Sequence, residues 1–555
     1  MKDKLIAKLK TPQGTAFISA FICGIAVHLF SMMNILQNHD SMGNIPSGFG
    51  ASITSGRWAL DILGRFANRF WGIYNMPSVN GFKFVLFVAF AAALAVTVLK
   101  LRRHISSVLC GALLAVFPST VSTLFYSFTP QFYGFAILLA VFSAWILVKP
   151  FSVPCHLSNK LSFIRNPIYR VLISSGTMAV SVGIYQAYFP LAASLLVLSL
   201  IGDCLRSEGS FIVILRRAFY YLISLALGMA AYFIILQIYL SIGDYQLSSY
   251  KGIDNIGHIS LSTLPMLLKM TRVAFVGLLH NNVYGLAPIH SVNTVYKILG
   301  LLSAVSIISI CVFLFKRRMQ KAFQICLILL LLGVLCLIFP YSVGLIRIMC
   351  PFSENTYIPL DNIILGDICT LMVYSYVVVG FAPAVIMEAL PESSGKPLTI
   401  INAALRKGSV LMLAMLIALY AYFDEVNYTA AYYATAQMDN YTTALITQVR
   451  MTEGFDTEKQ WVFIDDPSDS LLNNVWSTAP LFNLTPTYLQ SSYTWKNWIG
   501  AYFAYDPPIA TDEEVDAILA RKDIHGELAD MPVFPDYGSI KVIENMVVIK
   551  MGEIA

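Results

Sequence analysis

The stretch that decides the fold is TAFISAFICGIAVHLFSMMNIL, residues 15–36. It contains no Asp, Glu, Lys or Arg, and an apolar run of about 20 residues is what a helix needs to cross a hydrocarbon layer of roughly 30 Å. Lys2, Lys4, Lys8 and Lys10 precede it, and no small-residue cleavage pattern follows. The segment is therefore predicted to be an uncleaved signal anchor with a cytoplasmic N-terminus.

The composition extends this interpretation to the whole chain. Of 555 residues, 57% are hydrophobic and 12% are charged, and the mean hydropathy is +0.67. Such values are typical of a polytopic membrane protein. The net charge is +5, and the basic residues are distributed according to the membrane topology. We therefore interpret them as an orientation signal, and nucleic acid is not a predicted partner. The nine cysteines are scattered singly, without the spacing of a disulfide framework or a metal site.

Further apolar runs predict about eleven spans in all. The inner segments assigned in this way hold 21 of the 37 Lys and Arg residues and the short outer loops hold 9, as the positive-inside rule requires. The predicted spans are 15–36, 82–100, 106–126, 131–149, 171–186, a sixth that ends at Asp203, 218–241, 294–315, 323–346, 364–388 and 409–424.

These patterns predict a mainly α architecture with two domains. Residues 1–424 form a polytopic membrane helical bundle whose first outer loop is 37–81, and residues 425–555 form a small extracytoplasmic α/β domain. Three local patterns define the second domain. They are a buried strand at Gln460-Trp-Val-Phe-Ile-Asp-Asp, a helix that opens with Thr511-Asp-Glu-Glu, and a hairpin over Ile540–Lys550 that turns at Glu544-Asn545.

The first outer loop carries the strongest catalytic candidate, Asp40, in the sequence Asn38-His39-Asp40-Ser41. A loop carboxylate at the membrane surface can act as a general base on an acceptor hydroxyl. The alternative is a solvated loop aspartate or a helix N-cap.

Two further sets of polar groups lie at predicted outer ends of spans. Arg57 opens an amphipathic segment suited to the membrane interface, where arginines either bind a lipid phosphate or reach the headgroups. Tyr185 and Gln186 end span five; such tyrosines are often interface anchors, whereas a glutamine at that depth needs polar partners.

Arg347 ends span nine on the outer side, against the charge rule. It is a candidate for phosphate binding, and the alternative is an ion pair with Glu354 or Asp361. No P-loop, GxSxG, HExxH or Rossmann glycine pattern is present, which argues against a nucleotide-driven pump or a nucleotide-sugar enzyme.

The order of these motifs resembles the type II family of bacterial O-antigen glucosyltransferases, membrane enzymes of the GT-C architecture, over about residues 15–420. The motifs that carry the likeness are the Asn38-His39-Asp40-Ser41 loop, Ser55-Gly56-Arg57-Trp58, the Tyr126-Ser-Phe hairpin, Gly183-Ile-Tyr185-Gln186-Ala and the outer C-terminal domain.

The resemblance implies inverting transfer of a hexose, glucose by family, from a polyprenyl-phosphate sugar to a hydroxyl of a cell-surface glycan. Asp40 would be the general base, and Arg57 and Arg347 would hold the donor phosphate. The sugar cavity would be lined by Tyr185 and Gln186, with His39 and Glu354 as further substrate-binding residues. No cofactor is expected, and the lack of a paired acidic motif leaves divalent-metal dependence open.

The expected location is a bacterial plasma membrane, with membrane proteins that synthesise and flip the donor as partners. One rival function is a transporter or flippase of lipid-linked sugars, which would more often show intramembrane charges and repeated halves. A surface-polysaccharide polymerase is the other.

Overall fold

The computed structural model describes residues 9–36, 39–44, 47–50, 52–72, 74–148, 166–248, 290–315, 322–344, 370–392, 396–465, 497–500 and 505–552. Its first fourteen α-helices are α1 (Pro12–Met33), α2 (His39–Met42), α3 (Trp58–Phe70), α4 (Pro77–Val98), α5 (His104–Ala115), α6 (Ser119–Phe125), α7 (Pro130–Val148), α8 (Pro167–Ile184), α9 (Phe189–Arg206), α10 (Phe211–Gly243), α11 (His290–Phe315), α12 (Ala322–Gly344), α13 (Val377–Ala389) and α14 (Lys396–Met451). Short 3-10 turns lie at Ile53–Ser55, Gln186–Tyr188, Thr370–Met372 and Tyr374–Tyr376.

The predicted membrane bundle is confirmed. Within the described residues, nine helices are long and apolar enough to cross a membrane, and the shorter apolar helices Phe323–Leu335 and Tyr374–Ala389 coincide with predicted spans nine and ten. Helices α1, α4 and α8 begin three to five residues before the predicted spans, each with a proline in its first turn. Proline loses no hydrogen bond at that position, and hydropathy alone does not mark it.

The centre of the bundle is built from α5, α6 and α9. In the most apolar 18 residues of each segment, the buried share is 94% for His104–Phe125 and 89% for Gln186–Arg206, but only 28% for Phe211–Gly243. Helix α5 approaches α1 so closely that a Cβ on Gly111 would lie 2.4 Å from the carbonyl oxygen of Ala16. Close packing of this kind lets dispersion forces hold helices together where lipid supplies no hydrophobic drive.

The basic loop ends that were predicted to be inner meet at one end of the bundle, which we call the cationic end. Asp203 there accepts from Lys100 at 2.5 Å and from Arg217 at 2.7 Å. Glu208 accepts from Arg102 at 2.7 Å. Because α9 runs from Phe189 to Arg206, the connection between α8 and α9 lies at the opposite end.

Helix α14 joins the bundle to the C-terminal domain without a linker. Its 56 residues correspond to a length of about 84 Å, well beyond a hydrocarbon layer. The predicted domain boundary at residue 424 therefore falls inside a continuous helix. The last part of α14 supplies Met438, Leu445 and Val449 to a core that also contains Trp461 and Trp498.

The C-terminal domain contains the elements that its local patterns predict. The predicted elements are β1 (Gln460–Ile464), α15 (Asp512–Leu519), β2 (Ile540–Ile543) and β3 (Met546–Lys550). A further short helix, α16 (Lys522–Ala529), follows α15 and was not predicted. The sheet order is β1-β3-β2, with β1 parallel to β3 and β2 antiparallel to it. The side chain of Thr511 accepts from the Glu514 N–H, and the Glu514 carboxylate accepts from the Thr511 N–H at 2.8 Å, which completes a capping box.

Candidate active site

Arg57 is placed by a tight turn at the end opposite the cationic end. The turn Ile53–Ser55 is followed by Gly56 at φ +71°, and the Arg57 N–H donates to the Ser52 carbonyl at 2.8 Å. A Cβ on Gly56 would lie 2.8 Å from the Tyr232 hydroxyl oxygen. Glycine is therefore required here both for its backbone conformation and for space.

The guanidinium group of Arg57 faces tyrosines. Its central carbon lies 5.0 Å from the centre of the Tyr185 ring, a cation–π distance. Burial opposes the charge, but electrostatic interaction with Tyr133, Tyr185, Tyr126 and Tyr232 outweighs it and raises the pKa of Arg57 above its usual range. Arg57 is thus a half-buried cation beside aromatic rings.

Within the described part of the chain, Arg57 has unused binding capacity. Its buried Nε has no hydrogen-bond partner there, and no described carboxylate forms an ion pair with it. An unpaired cation with free N–H donors in a partly buried position is costly unless a ligand completes it. The geometry suits an anion with several oxygens, such as a phosphate, which arginine can bind through two parallel hydrogen bonds.

The rings beside Arg57 form a tyrosine cluster of Tyr133, Tyr185 and Tyr188. Tyr133 and Tyr185 are stacked at 4.4 Å and 16°, and Tyr188 meets Tyr185 edge-on at 5.3 Å. Tyr374 extends the cluster at 6.1 Å from Tyr188. Apolar ring faces combined with phenol hydroxyls suit a ligand that has both C–H and O–H groups, as a sugar ring does.

Gln186 has polar partners, as expected for a glutamine at the end of a span, and these partners are groups of the protein itself. Its Nε2 donates to the Ser55 carbonyl at 2.8 Å and to the Tyr232 hydroxyl at 3.2 Å. Tyr232 in turn donates to the Gly56 carbonyl at 3.0 Å. Gln186 therefore holds the turn that carries Arg57, a positioning role that sequence reasoning did not predict.

Asp40 lies in α2 with an exposed side chain. Its neighbour Ser41 anchors α2, since the Ser41 hydroxyl donates to the Phe125 carbonyl at 3.1 Å. The next residue, Tyr126, is one of the tyrosines that act on Arg57. Ser41, next to Asp40, and Arg57 therefore both interact with residues at the end of α6, namely Phe125 and Tyr126.

Helix α3 shows the predicted amphipathic character. Trp58, Leu60 and Asp61 are buried, whereas Phe66 and Phe70 are exposed. The Asp61 carboxylate accepts from the Ser52 hydroxyl at 3.0 Å and from Arg65 Nε at 2.7 Å. Asp61 was not a predicted site residue. Its hydrogen bond with Ser52 connects α3 to the loop segment that precedes Arg57.

A second unpredicted carboxyl group is Asp424 in α14. It is fully buried, and neither of its oxygens has a hydrogen-bond partner among the described residues. One turn further along, the Tyr428 hydroxyl lies 2.8 Å from His28 Nδ1, and the Tyr428 ring lies 5.7 Å from Phe125. The one feature of the sequence that could have indicated Asp424 is its position as a carboxylate at the end of an apolar run.

Several predicted site residues lie outside the described residues. Arg347 and Glu354 are in the segment 345–369, and the side chain of His39 is not described. Among the residues that are described, no group of three or more His, Cys, Asp or Glu is arranged to hold a metal ion.

Comparison with known proteins identifies the family. The model of the family described as glucosyl transferase GtrII matches residues 29–380, which is more than half of the chain and includes Asp40, Arg57, Tyr185 and Gln186. The likeness expected to reach residue 420 therefore stops before α14. Neither the curated proteins nor the solved structures contain a match. On the extent of this match, the chain belongs to the GtrII glucosyl transferase family.

Proposed function

We propose that this glucosyltransferase moves glucose from a polyprenyl-phosphate donor to a hydroxyl of a cell-surface glycan, the O-antigen that its family implies. The reaction would take place on the outer face of a bacterial plasma membrane. In this arrangement the N-terminus and the cationic end are cytoplasmic, and the C-terminal domain is extracytoplasmic. Donor synthesis and flipping fall to partner membrane proteins, because the active site lies on the face opposite the cytoplasm.

The observation that carries the proposal is the state of Arg57. It is a cation without a described carboxylate partner, it faces the tyrosine cluster, and it lies at the end of the bundle away from the basic loops. A lipid-linked donor offers a phosphate at the membrane surface and a sugar attached to it. Arg57 supplies the charge for the first. The tyrosine cluster, whose three rings are at most 4% exposed, packs beside that charge and would form the inner wall of the site for the second.

The proposed step needs one base and one cation. The acceptor hydroxyl oxygen forms a bond to the anomeric carbon from the face opposite the phosphate, so configuration is inverted. The bond between that carbon and the phosphate oxygen breaks, and polyprenyl phosphate leaves with the electron pair. Asp40 takes the hydroxyl proton, and Arg57 stabilises the negative charge on the departing phosphate.

This scheme corresponds to a GT-C type of enzyme and requires no nucleotide site. The donor is already activated, so the protein contributes proximity, charge stabilisation and proton transfer. Arg347, Glu354 and His39 are further candidates for contact with the donor or the acceptor, and Tyr185 and Gln186 line or support the sugar site.

The decisive experiment uses the purified full-length protein in proteoliposomes with radiolabelled polyprenyl-phosphate glucose and an O-antigen acceptor. Wild-type protein is expected to transfer label, while Asp40→Asn is expected to retain donor binding and lose transfer. Equal transfer by both proteins would remove Asp40 as the base. If no label is transferred but the donor crosses the bilayer in a protein-dependent manner, the transporter function replaces the enzyme.

A further inference from the structure

A second site lies at the cationic end, remote from Arg57. A cavity of about 670 Å³ opens there between the ends of α4, α7, α8 and α10. Four cations and one carboxylate are among its lining residues, namely Lys100, Arg102, Arg170, Arg217 and Glu208. The proposed glycosyl transfer uses none of them.

The local charge is not balanced. Asp203 accepts from Lys100 and Arg217, Glu208 accepts from Arg102, and Arg206 lies 3.8 Å from Asp203 and 3.7 Å from Glu208. Two buried guanidinium nitrogens of the half-buried Arg206 have no hydrogen-bond partner among the described residues.

Arg170 has no described carboxylate partner and donates instead to the carbonyls of Ile146 and Leu147, at the end of α7. Glu388 is a third nearby carboxylate, and it accepts from the backbone N–H groups of Arg102 and Arg103. Five cations, Lys100, Arg102, Arg170, Arg206 and Arg217, therefore lie near three carboxylates, of which only Asp203 and Glu208 pair with their side chains. An anion in the cavity would reduce the mutual repulsion of these cations.

The position of the cavity favours a lipid over a soluble anion. Its walls include Leu147 and Val148 in the last turn of α7 and Tyr220 on α10, at the level where spans leave the hydrocarbon layer. On two of the helices that line the cavity, Ile168 and Leu172 of α8 and Phe219 and Leu222 of α10 are exposed and apolar. A basic pocket between helix ends beside an apolar surface matches a phospholipid, with its phosphate in the cavity and its acyl chains along the helices.

We propose that this cavity binds the headgroup of an anionic phospholipid of the cytoplasmic leaflet. The bound phosphate accepts hydrogen bonds from Arg102 and Arg217, whose side chains are 75% and 41% exposed. The leaflet assignment rests on the orientation given under the proposed function, whereas the binding itself does not. A failure of glucosyl transfer would leave this site standing, because binding is measured without any reaction.

The test compares two double variants that remove the same charge. Arg102→Gln/Arg217→Gln removes two lining cations, and Arg103→Gln/Arg216→Gln removes their sequence neighbours, which do not line the cavity. Binding of phosphatidylglycerol to detergent-purified full-length protein is followed by native mass spectrometry. Phosphatidylcholine and inorganic phosphate serve as the other two probes, and size-exclusion chromatography checks that each variant is folded.

Wild-type protein is expected to retain phosphatidylglycerol in preference to phosphatidylcholine. Arg102→Gln/Arg217→Gln should bind phosphatidylglycerol roughly 30-fold more weakly, because two cations near the membrane surface are lost. Arg103→Gln/Arg216→Gln should bind it within about twofold of wild type. Arg102→Lys/Arg217→Lys keeps the charge and should keep most of the affinity.

Three results would overturn the proposal. Equal loss in both Gln double variants would mean general attraction to a basic surface. Equal binding of the two lipids would mean that the net negative charge of the headgroup is not recognised. Complete competition by inorganic phosphate at matched concentration would make the ligand a soluble anion.

Discussion

The guanidinium group of Arg57 lies over the ring of Tyr185, with 5.0 Å between the guanidinium carbon and the ring centre. This contact joins the first loop to the connection between α8 and α9. Gln186, the next residue, holds the same loop through the Ser55 carbonyl. The candidate site is therefore a junction of two loops that are far apart in sequence, and its geometry depends on both.

Replacement of Arg57 tests its role as the cation for the donor phosphate. Arg57→Gln is expected to lower the rate of glucosyl transfer by roughly 100-fold or more, the usual cost of losing one group that stabilises transition-state charge. Arg57→Lys keeps the charge without the planar donor pair and should retain intermediate activity. Arg69→Gln is the matched control, because Arg69 is an exposed cation on the same loop. Equal activity in Arg57→Gln and Arg69→Gln would exclude Arg57 from the reaction.

Replacement of Asp40 tests the proposed base. Asp40→Asn should lower the turnover number by roughly 100- to 10,000-fold, the contribution typical of general base catalysis. The thermal unfolding midpoint should stay close to that of the wild type, since the side chain is exposed. Asp244→Asn, an exposed carboxylate after the last turn of α10 at the same end, provides the control. A variant at position 40 that turns over normally would show that another group accepts the proton.

Replacement of Gly56 tests whether the turn positions Arg57. Gly56→Ala forces a side chain into φ +71° and places its Cβ 3.0 Å from Gln186 Nε2 and 2.8 Å from the Tyr232 hydroxyl. We expect a loss of about 1–2 kcal/mol in the free energy of unfolding from the backbone conformation alone, and a lower transfer rate as Arg57 shifts.

Gly176→Ala on α8 is the counterpart, since nothing lies within 4 Å of a Cβ there. An added methyl group inside a helix should leave stability unchanged or raise it. If Gly56→Ala behaved like Gly176→Ala in both stability and transfer, the turn would not control the site.

The C-terminal domain should lose stability in acid through the ion pairs of Arg521. Its guanidinium group donates to Asp523 and Glu544, and these bonds lower the pKa of both carboxyl groups from their ordinary values of 3.8 and 4.5. A lowered folded-state pKa means that the stabilisation is complete above the ordinary values. It is lost as the pH falls through the lowered values in the folded domain.

This pH dependence can be followed by fluorescence of the buried Trp461 and Trp498 in the full-length protein, with Arg521→Gln as the comparison. The difference in unfolding free energy between wild type and variant should be largest near neutral pH and shrink steadily below pH 4.5, the ordinary value for glutamate. A difference that does not change with pH would mean that these exposed pairs do not stabilise the domain.

Local patterns in the sequence were sufficient for the membrane bundle and for the elements of the C-terminal domain. Within the described part of the chain, the apolar runs predicted the nine helices long enough to cross a membrane and the two shorter apolar ones, because burial in hydrocarbon demands a continuous apolar segment. The capping box at Thr511 and the turn at Glu544 were equally readable, since each depends on residues only a few positions apart. Asp40, Arg57, Tyr185 and Gln186 could also be assigned to one end of the bundle, because alternating spans determine the side on which each loop lies.

Only the tertiary structure decided which of these groups touch and what each one does. The stacking of Tyr133 on Tyr185, the use of the Gln186 amide by a backbone carbonyl, and the burial of Asp424 all involve contacts between distant segments. A backbone carbonyl is present at every residue, so no sequence pattern announces that one of them will be an acceptor. The sequence by itself therefore determined where the chain crosses the membrane, and helix packing decided how Arg57 and the tyrosine cluster form a site.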